Sequence, residues 1–190
     1  MSNVLLSQRL NTATHKPHEL LDAQVKSYQP FDNLENFARF AATQYLYQYD
    51  IDKLYSDSQL AQLIPDLAER NRLAATRLDL QDLKHAVPAN DGFTQSKDWT
   101  LPEALAWLFV SEGSKLGAAF LYKRAVPLGL SDQFGARHLG EPAGGRAQGW
   151  KGFVSAIDAI ELSEEEAQQA EQAAVAAFNR FTVLLEQTFA

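Results

Sequence analysis

The stretch Ser111-Glu112-Gly113-Ser114-Lys115-Leu116-Gly117-Ala118-Ala119-Phe120 lies inside a run of helix-favouring residues from Thr100 to Ala125. It holds two glycines four residues apart, although a glycine inside a helix costs roughly 1 kcal/mol relative to alanine. Glycines at this spacing leave one helix face without side chains, so another group can approach the backbone closely. The stretch therefore predicts either a close helix–helix contact or a ligand lying against the helix.

Aromatic and cationic residues share the helix face that carries the glycines. At about 100° per residue, Phe109, Phe120 and Arg124 fall within one sector of roughly 80° together with Gly113 and Gly117. The sector combines aromatic surface, bare backbone and a cation at one end. A flat apolar ligand with an anionic edge would fit this face, and so would a neighbouring helix, so the helix alone leaves both interpretations open.

Composition limits the class of protein. The chain has 190 residues, 46 % of them hydrophobic and 22 % charged, which is typical of one globular domain spanning residues 1–190. A formal net charge of −7 argues against general affinity for nucleic acid. The absence of cysteine excludes disulfides, thiolate metal sites and a cysteine nucleophile. The longest apolar run, around Leu105–Val110, is too short to span a membrane, and a cytoplasmic protein is expected.

The periodicity of apolar residues predicts an all-α fold. The first helix is expected from about Val4 to Tyr28, with a kink or restart before His18 because Pro17 lacks a backbone N–H. Further helices are expected at about 32–55, 58–64, 66–83, 100–125, 150–160 and 163–188. Three of them begin with capping boxes, at Asp32/Glu35, Thr100/Glu103 and Ser163/Glu166. Segments 86–99 and 127–149 are expected to be loops.

His18 is the candidate metal ligand on the first helix, where it shares a face with Asn11 and has Lys26 at the edge of that face. A neutral imidazole is a good ligand for iron, although a lone histidine on such a face is more often an ordinary core or surface residue. No Glu-x-x-His pair occurs, which excludes a di-iron carboxylate bundle. On the last helix, Phe181 is expected in the core or beside a cavity, next to the cation Arg180.

Three groups of residues, taken together, resemble the bacterial biliverdin-producing haem oxygenases. They are Thr14-His15-Lys16-Pro17-His18 followed by Tyr28-Gln29-Pro30-Phe31, then Ala106-Trp107-Leu108-Phe109-Val110-Ser111-Glu112-Gly113-Ser114-Lys115-Leu116-Gly117-Ala118-Ala119, then Gly135-Ala136-Arg137-His138-Leu139. They follow one another in the family's order over nearly the whole chain. The Thr-x-x-x-His piece is weak alone, but Glu-Gly-Ser-x-Leu-Gly about a hundred residues later makes the resemblance specific.

This resemblance implies an all-α fold that sandwiches haem between a proximal and a distal helix. His18 would be the proximal iron ligand, and Gly113 and Gly117 would be the catalytic distal glycines that let the backbone lie over the porphyrin. Pro17 departs from the residue usual in the family. Haem would be both substrate and cofactor, and with O2 and electrons it would be cleaved to biliverdin, carbon monoxide and ferrous iron.

The resemblance also bears on which carbon of the ring is attacked, because the haem propionates set its rotation in the pocket. Candidate propionate partners are Lys26, Arg124 and Arg180. One branch of the family carries lysine and tyrosine at the positions of Asn11 and Phe109 and cleaves at the α carbon. The branch that this chain resembles seats haem rotated, which implies the δ and β isomers of biliverdin.

Electrons are expected from outside the chain, because it carries no flavin or nicotinamide motif. The resemblance implies a ferredoxin with its NADPH-dependent reductase, and Lys16, Lys115 and Lys123 are candidate docking cations. The expected role is iron acquisition from haem. The main alternative is a haem carrier or store that uses the same His18 without turnover. The two are distinguished by whether the Soret band fades to a biliverdin spectrum in the presence of reductant and air.

Overall fold

A computed structural model describes residues 4–190, and the prediction of an all-α fold is confirmed. The seven α-helices are α1 Leu6–Ser27, α2 Leu34–Tyr55, α3 Ser58–Leu63, α4 Leu73–Asp82, α5 Leu101–Ala125, α6 Arg146–Asp158 and α7 Glu164–Phe189. Short 3-10 turns lie at Ala68–Arg70, Val126–Leu128 and Arg137–Leu139. Within the described range no helix is both long enough and apolar enough to cross a bilayer.

Helix α7 organises the packing, because it contacts α1, α2 and α5. Its buried face is rich in alanine, including the fully buried Ala170, Ala174 and Ala177. Small side chains let the neighbouring helices approach closely, while Leu184 and Leu185 fill the far end of the same face. One hydrophobic core is therefore shared by α7, α1, α2 and α5, and α1 and α5 lie against the same central helix.

Helix α1 is continuous, so the predicted restart before His18 is wrong. Pro17 lies inside the helix, and the Thr14 hydroxyl donates to the Leu10 carbonyl oxygen at 2.7 Å instead of capping a new helix. A proline removes one hydrogen bond, but tertiary contacts hold the preceding turns in place. Arg9 binds Glu164 at 2.8 Å and Glu171 at 2.7 Å, and both acidic residues belong to α7.

The two predicted helix starts with serine or threonine at the N-cap are confirmed. The Ser163/Glu166 capping box is present, and Thr100 accepts a bond from the Glu103 amide at 3.4 Å. The predicted cap at Asp32 is wrong, because the side chain of Asn33 accepts from the Asn36 amide at 2.8 Å. Aspartate and asparagine cap about equally well, so two adjacent candidates could not be ranked from sequence.

Two further helix boundaries differ from the prediction. The backbone turns at Asp66, where φ is 56°, so α4 begins at Leu73 instead of just after Pro65. Helix α6 begins at Arg146, earlier than the expected residue 150, directly after Gly144 and Gly145 with φ of 86° and 92°. The expected loop over 86–99 is present.

Candidate functional site

The predicted metal ligand lies on the exposed face of α1. The side chain of His18 is 63 % exposed, and its Nε2 atom lies 3.5 Å from the Asp22 carboxylate one turn later. The imidazole also packs beside the ring of Phe178 on α7, with the ring centroids 5.6 Å apart. The exposed imidazole is therefore accessible to a ligand outside α1.

The glycine face of α5 is bare at Gly117 but covered at Gly113. A Cβ atom added to Gly117 would meet nothing within 4 Å, and one added to Gly113 would lie 3.6 Å from the ring of Trp150. Phe120, one turn beyond Gly117, is 73 % exposed. The face is therefore closed by an aromatic ring at Gly113 and open from Gly117 onward. No neighbouring helix covers Gly117, so the helix-contact interpretation does not hold at that position.

The two surfaces belong to helices that flank α7, and α1 also contacts α5 directly. Phe178 contributes an aromatic side chain from α7 next to His18. An exposed imidazole, an open length of helix backbone and exposed aromatic surface match what a flat metal-bearing macrocycle requires. The residues present therefore fit haem.

Phe109 and Asn11 occupy contrasting environments. Phe109 is only 5 % exposed and packs against Trp150, with the ring centroids 5.2 Å apart. It forms the buried end of the glycine face, one turn before Gly113. Asn11 is exposed on α1, two turns before His18.

Two of the three predicted propionate partners remain accessible. Lys26 is exposed in the last turn of α1. Arg124 is exposed in the last turn of α5, with its guanidinium 4.5 Å from the centre of the Phe31 ring. Phe31 lies in the connection that follows α1, so Arg124 is held near the carboxyl-terminal end of that helix.

Arg180 does not fit the predicted role of propionate partner. Its side chain is 5 % exposed, Nε donates to Asp50 at 2.7 Å, and the two terminal nitrogens donate to Asp91 at 2.9 and 2.8 Å. These two carboxylates already neutralise the guanidinium, so it ties the loop before α5 to α2 and α7. Phe181 lies in the core with 8 % exposure, edge-on to Tyr47, and does not line an open cavity.

Sequence reasoning missed two aromatic residues that border the site. Phe178 lies three residues before Phe181, a helical spacing that favours a place in the core for both. Trp150 was noted only near the start of a helix. Helical spacing places Phe178 on one side of α7, but which helix covers that side depends on tertiary packing. The contact of Trp150 with Gly113 joins residues far apart in sequence, and no local pattern predicts it.

A buried charged cluster lies on the opposite side of α5 from the glycines. Glu112 has a side chain only 1 % exposed, and it binds Arg70 at 2.8 Å and Lys115 at 2.6 Å. The Tyr55 hydroxyl donates to the same carboxylate at 3.1 Å. A polar cavity of about 170 Å³ borders the cluster and reaches Trp150. Lys115 is thus committed to internal bonds and is a poor candidate for docking an electron donor.

Burial lowers the pKa of Lys115 from 10.5 to about 8, and Glu112 opposes this shift. Between these two values the unfolded chain binds more protons than the folded chain, so stability rises with pH in this window. We expect the free energy of unfolding of the wild type, relative to Lys115→Met, to rise by about 1.4 kcal/mol per pH unit above about pH 8. Urea unfolding of both proteins at several pH values from about 7 to about 9.5 measures this difference.

The exposed Lys151 on α6 supplies the control, because Lys151→Met removes a lysine that the fold does not bury. The stability difference between wild type and Lys151→Met is expected to stay level over the same range. If the difference in the free energy of unfolding between wild type and Lys115→Met also does not change with pH, the predicted lowering of the Lys115 pKa is wrong.

Comparison with known proteins agrees with this geometry. The family model described as "Heme oxygenase" matches residues 4–187. Heme oxygenase PigA from Pseudomonas aeruginosa is 58 % identical over 186 residues, which cover 98 % of this chain and 94 % of that protein.

Solved structures with the same fold include the NO- and CO-bound heme oxygenase from Neisseria meningitidis. It has a TM-score of 0.90 and 35 % identity, covering 98 % of this chain and 92 % of that one. Heme oxygenase-1 from Synechocystis sp. PCC6803, solved in complex with heme, has a TM-score of 0.74 at 16 % identity, covering 97 % and 92 %. The chain therefore belongs to the haem oxygenase family and is a haem-degrading oxidoreductase.

Proposed function

We propose that the chain cleaves haem held between α1 and α5, with His18 bound to the iron and the backbone of Gly113 and Gly117 over the opposite face. The observation that carries this placement is the pairing of an exposed imidazole on α1 with an open glycine face on α5, both on helices that pack against α7. Loss of iron ligation in a His18 variant tests it.

The chain's own residues then have separate tasks. His18 holds the iron, and its imidazole packs beside the ring of Phe178 on α7. The absence of a side chain at Gly117 leaves room for dioxygen and for ordered water that donates protons. Haem itself supplies the iron that activates dioxygen, and its own ring is oxidised to biliverdin with release of carbon monoxide and ferrous iron.

Lys26 and Arg124 are the proposed propionate partners. Both are exposed cations in the last turns of the two helices that would enclose haem. A carboxylate bound by an ammonium or guanidinium group gains charge-assisted hydrogen bonds, which fix the rotation of the ring about the iron. Arg180 takes no part, because Asp50 and Asp91 occupy its guanidinium.

We expect the δ isomer of biliverdin, with some β, as the product. The double variant Asn11→Lys, Phe109→Tyr should shift the product toward α, because a new cation and a new hydroxyl offer the propionates other partners. Chromatography of the biliverdin formed by each protein gives the isomer ratio. The control is Thr12→Lys, which adds the same cation on the neighbouring exposed position of α1. A wild type that yields only α contradicts the proposed seating of haem.

The electron donor proposed is a ferredoxin-type protein with an NADPH-dependent reductase, acting in the cytoplasm, and the proposed role is release of iron from haem. Lys16 and Lys123 are exposed and remain the candidate docking cations.

A further inference from the structure

The back of α5 carries a row of backbone carbonyl groups that bind side chains from other parts of the fold. The Trp107 carbonyl accepts from the Tyr47 hydroxyl at 3.0 Å. The Ser111 carbonyl accepts from Arg72 at 3.2 Å, and the Lys115 carbonyl accepts from Arg146 at 3.3 Å. Successive members are four residues apart, so the three carbonyls line one side of the helix at consecutive turns.

This side is opposite the glycine face. Two residues along a helix project about 200° apart, so Phe109, Gly113 and Gly117 each lie almost directly across from one member of the row. The helix thus has outside hydrogen-bond donors along one side and the two glycines along the other, with open backbone at Gly117.

Extra donors on one side change the shape of a helix. A carbonyl that also accepts a bond from outside tilts away from the axis, which lengthens its own bond to the amide four residues later. Repeated at consecutive turns on one side, this tilt makes that side convex and the opposite side concave. By this principle the glycine face would be the concave side of α5.

Arg72 stands at the middle of the row. One terminal nitrogen donates both to the Ser111 carbonyl and to the Ser114 hydroxyl, the latter at 2.9 Å, and the other donates to the His138 carbonyl at 3.2 Å. The Ser114 hydroxyl itself donates to the Ser111 carbonyl at 2.6 Å. The Ser111 carbonyl thus accepts two side-chain bonds, on the side of the helix across from Gly113.

Charge pairing alone does not explain the bonds of this arginine, because the nearby Glu112 carboxylate favours its charge without bonding to it. Among residues 4–190 its hydrogen bonds go to carbonyls and a hydroxyl, and its buried Nε has no partner. Its bonds are instead directed at the stretch of α5 that holds the glycines.

We propose that Tyr47, Arg72 and Arg146 are positioning residues that curve α5, with Arg72 exerting the largest effect, so that the glycine backbone follows the face of haem. The inference rests on the proposed placement of haem across Gly113 and Gly117. None of the three residues has to touch the substrate, because each acts through the helix.

The test replaces Arg72 with Met, which has a long side chain but no donors. In haem-free Arg72→Met, the Lys115 amide is expected to exchange with solvent at least about threefold more slowly than in the wild type. The reason is that the Ser111 carbonyl then accepts only its helical bond from this amide and the bond from Ser114. In the CO complex of ferrous haem, the C–O stretching frequency is expected to shift, because the backbone above the ligand moves. Haem affinity should stay within about twofold of the wild type.

Two further variants complete the experiment. Arg72→Lys keeps the charge and can reach one acceptor, so its amide exchange should lie between that of the wild type and that of Arg72→Met. Arg77→Met removes an exposed arginine on α4 that bonds Tyr45 at 3.3 Å instead of α5, and it should change neither readout.

The outcomes separate the two ideas. Slower exchange together with a shifted C–O stretch supports the inference. Unchanged amide exchange in Arg72→Met overturns the proposed curvature, whatever the C–O stretching frequency shows. Slower exchange with an unchanged stretch means that haem does not lie over this backbone, which overturns the proposed placement and the inference with it.

Discussion

Haem added to the His18→Ala variant is expected to bind without its native ligand and to lose the sharp Soret band of the wild type. His18 is the proposed iron ligand from α1, and its imidazole is exposed beside Phe178. Removing a metal ligand costs more than removing the residue that orients it, so we expect turnover to fall by more than about a hundredfold. Absorption titration and the rate of biliverdin formation measure the two effects.

The matched control is His15→Ala. His15 is 76 % exposed and lies 3.3 Å from Glu19, so it repeats the histidine–acid pairing of His18 three residues earlier on α1. This variant should keep both the Soret band and the turnover. Added imidazole should partly restore ligation in His18→Ala, because the free base can enter the space left by the side chain. Loss of ligation in His15→Ala with retention in His18→Ala would transfer the ligand role to His15.

The Gly117→Leu variant is expected to fold more stably than the wild type and yet to lose haem turnover. Leucine is better than glycine in a helix by roughly 0.5–1 kcal/mol, and a Cβ at this position meets nothing within 4 Å. The haem-free protein should therefore gain stability. The same side chain would project into the space proposed for haem and dioxygen, so we expect turnover to fall by roughly tenfold or more.

A variant that gains stability but loses turnover has a defect at the site and not in folding. Thermal unfolding of the haem-free protein measures the stability. Haem affinity and the rate of biliverdin formation measure the effect on the site. Gly149→Leu is the control, because Gly149 is also helical and a Cβ added there also meets nothing within 4 Å. It should change stability without affecting turnover. Full haem affinity and full turnover in Gly117→Leu would remove haem from this face of α5.

Errors in the sequence-based predictions share a cause. The helix restart expected at Pro17 is absent, because contacts from Arg9 to α7 hold the preceding turns of α1. Arg180 was a plausible propionate partner only until Asp50 and Asp91 were placed beside it. The missing N–H of Pro17 and the charge of Arg180 were both recognised correctly. In each case contacts with residues distant in sequence decided what that property does in the fold.

The amino-acid sequence by itself determined the all-α class, most of the helices and the bare face at Gly113 and Gly117. These follow from apolar periodicity, serine and threonine caps, and glycine spacing, all of which act between residues a few positions apart. Only the tertiary structure decided which groups meet. It placed Phe178 beside His18, closed Gly113 with Trp150, occupied Arg180 with two carboxylates and set outside donors along the back of α5. Such pairings depend on how whole helices pack, and local spacing carries no information about a partner many residues away.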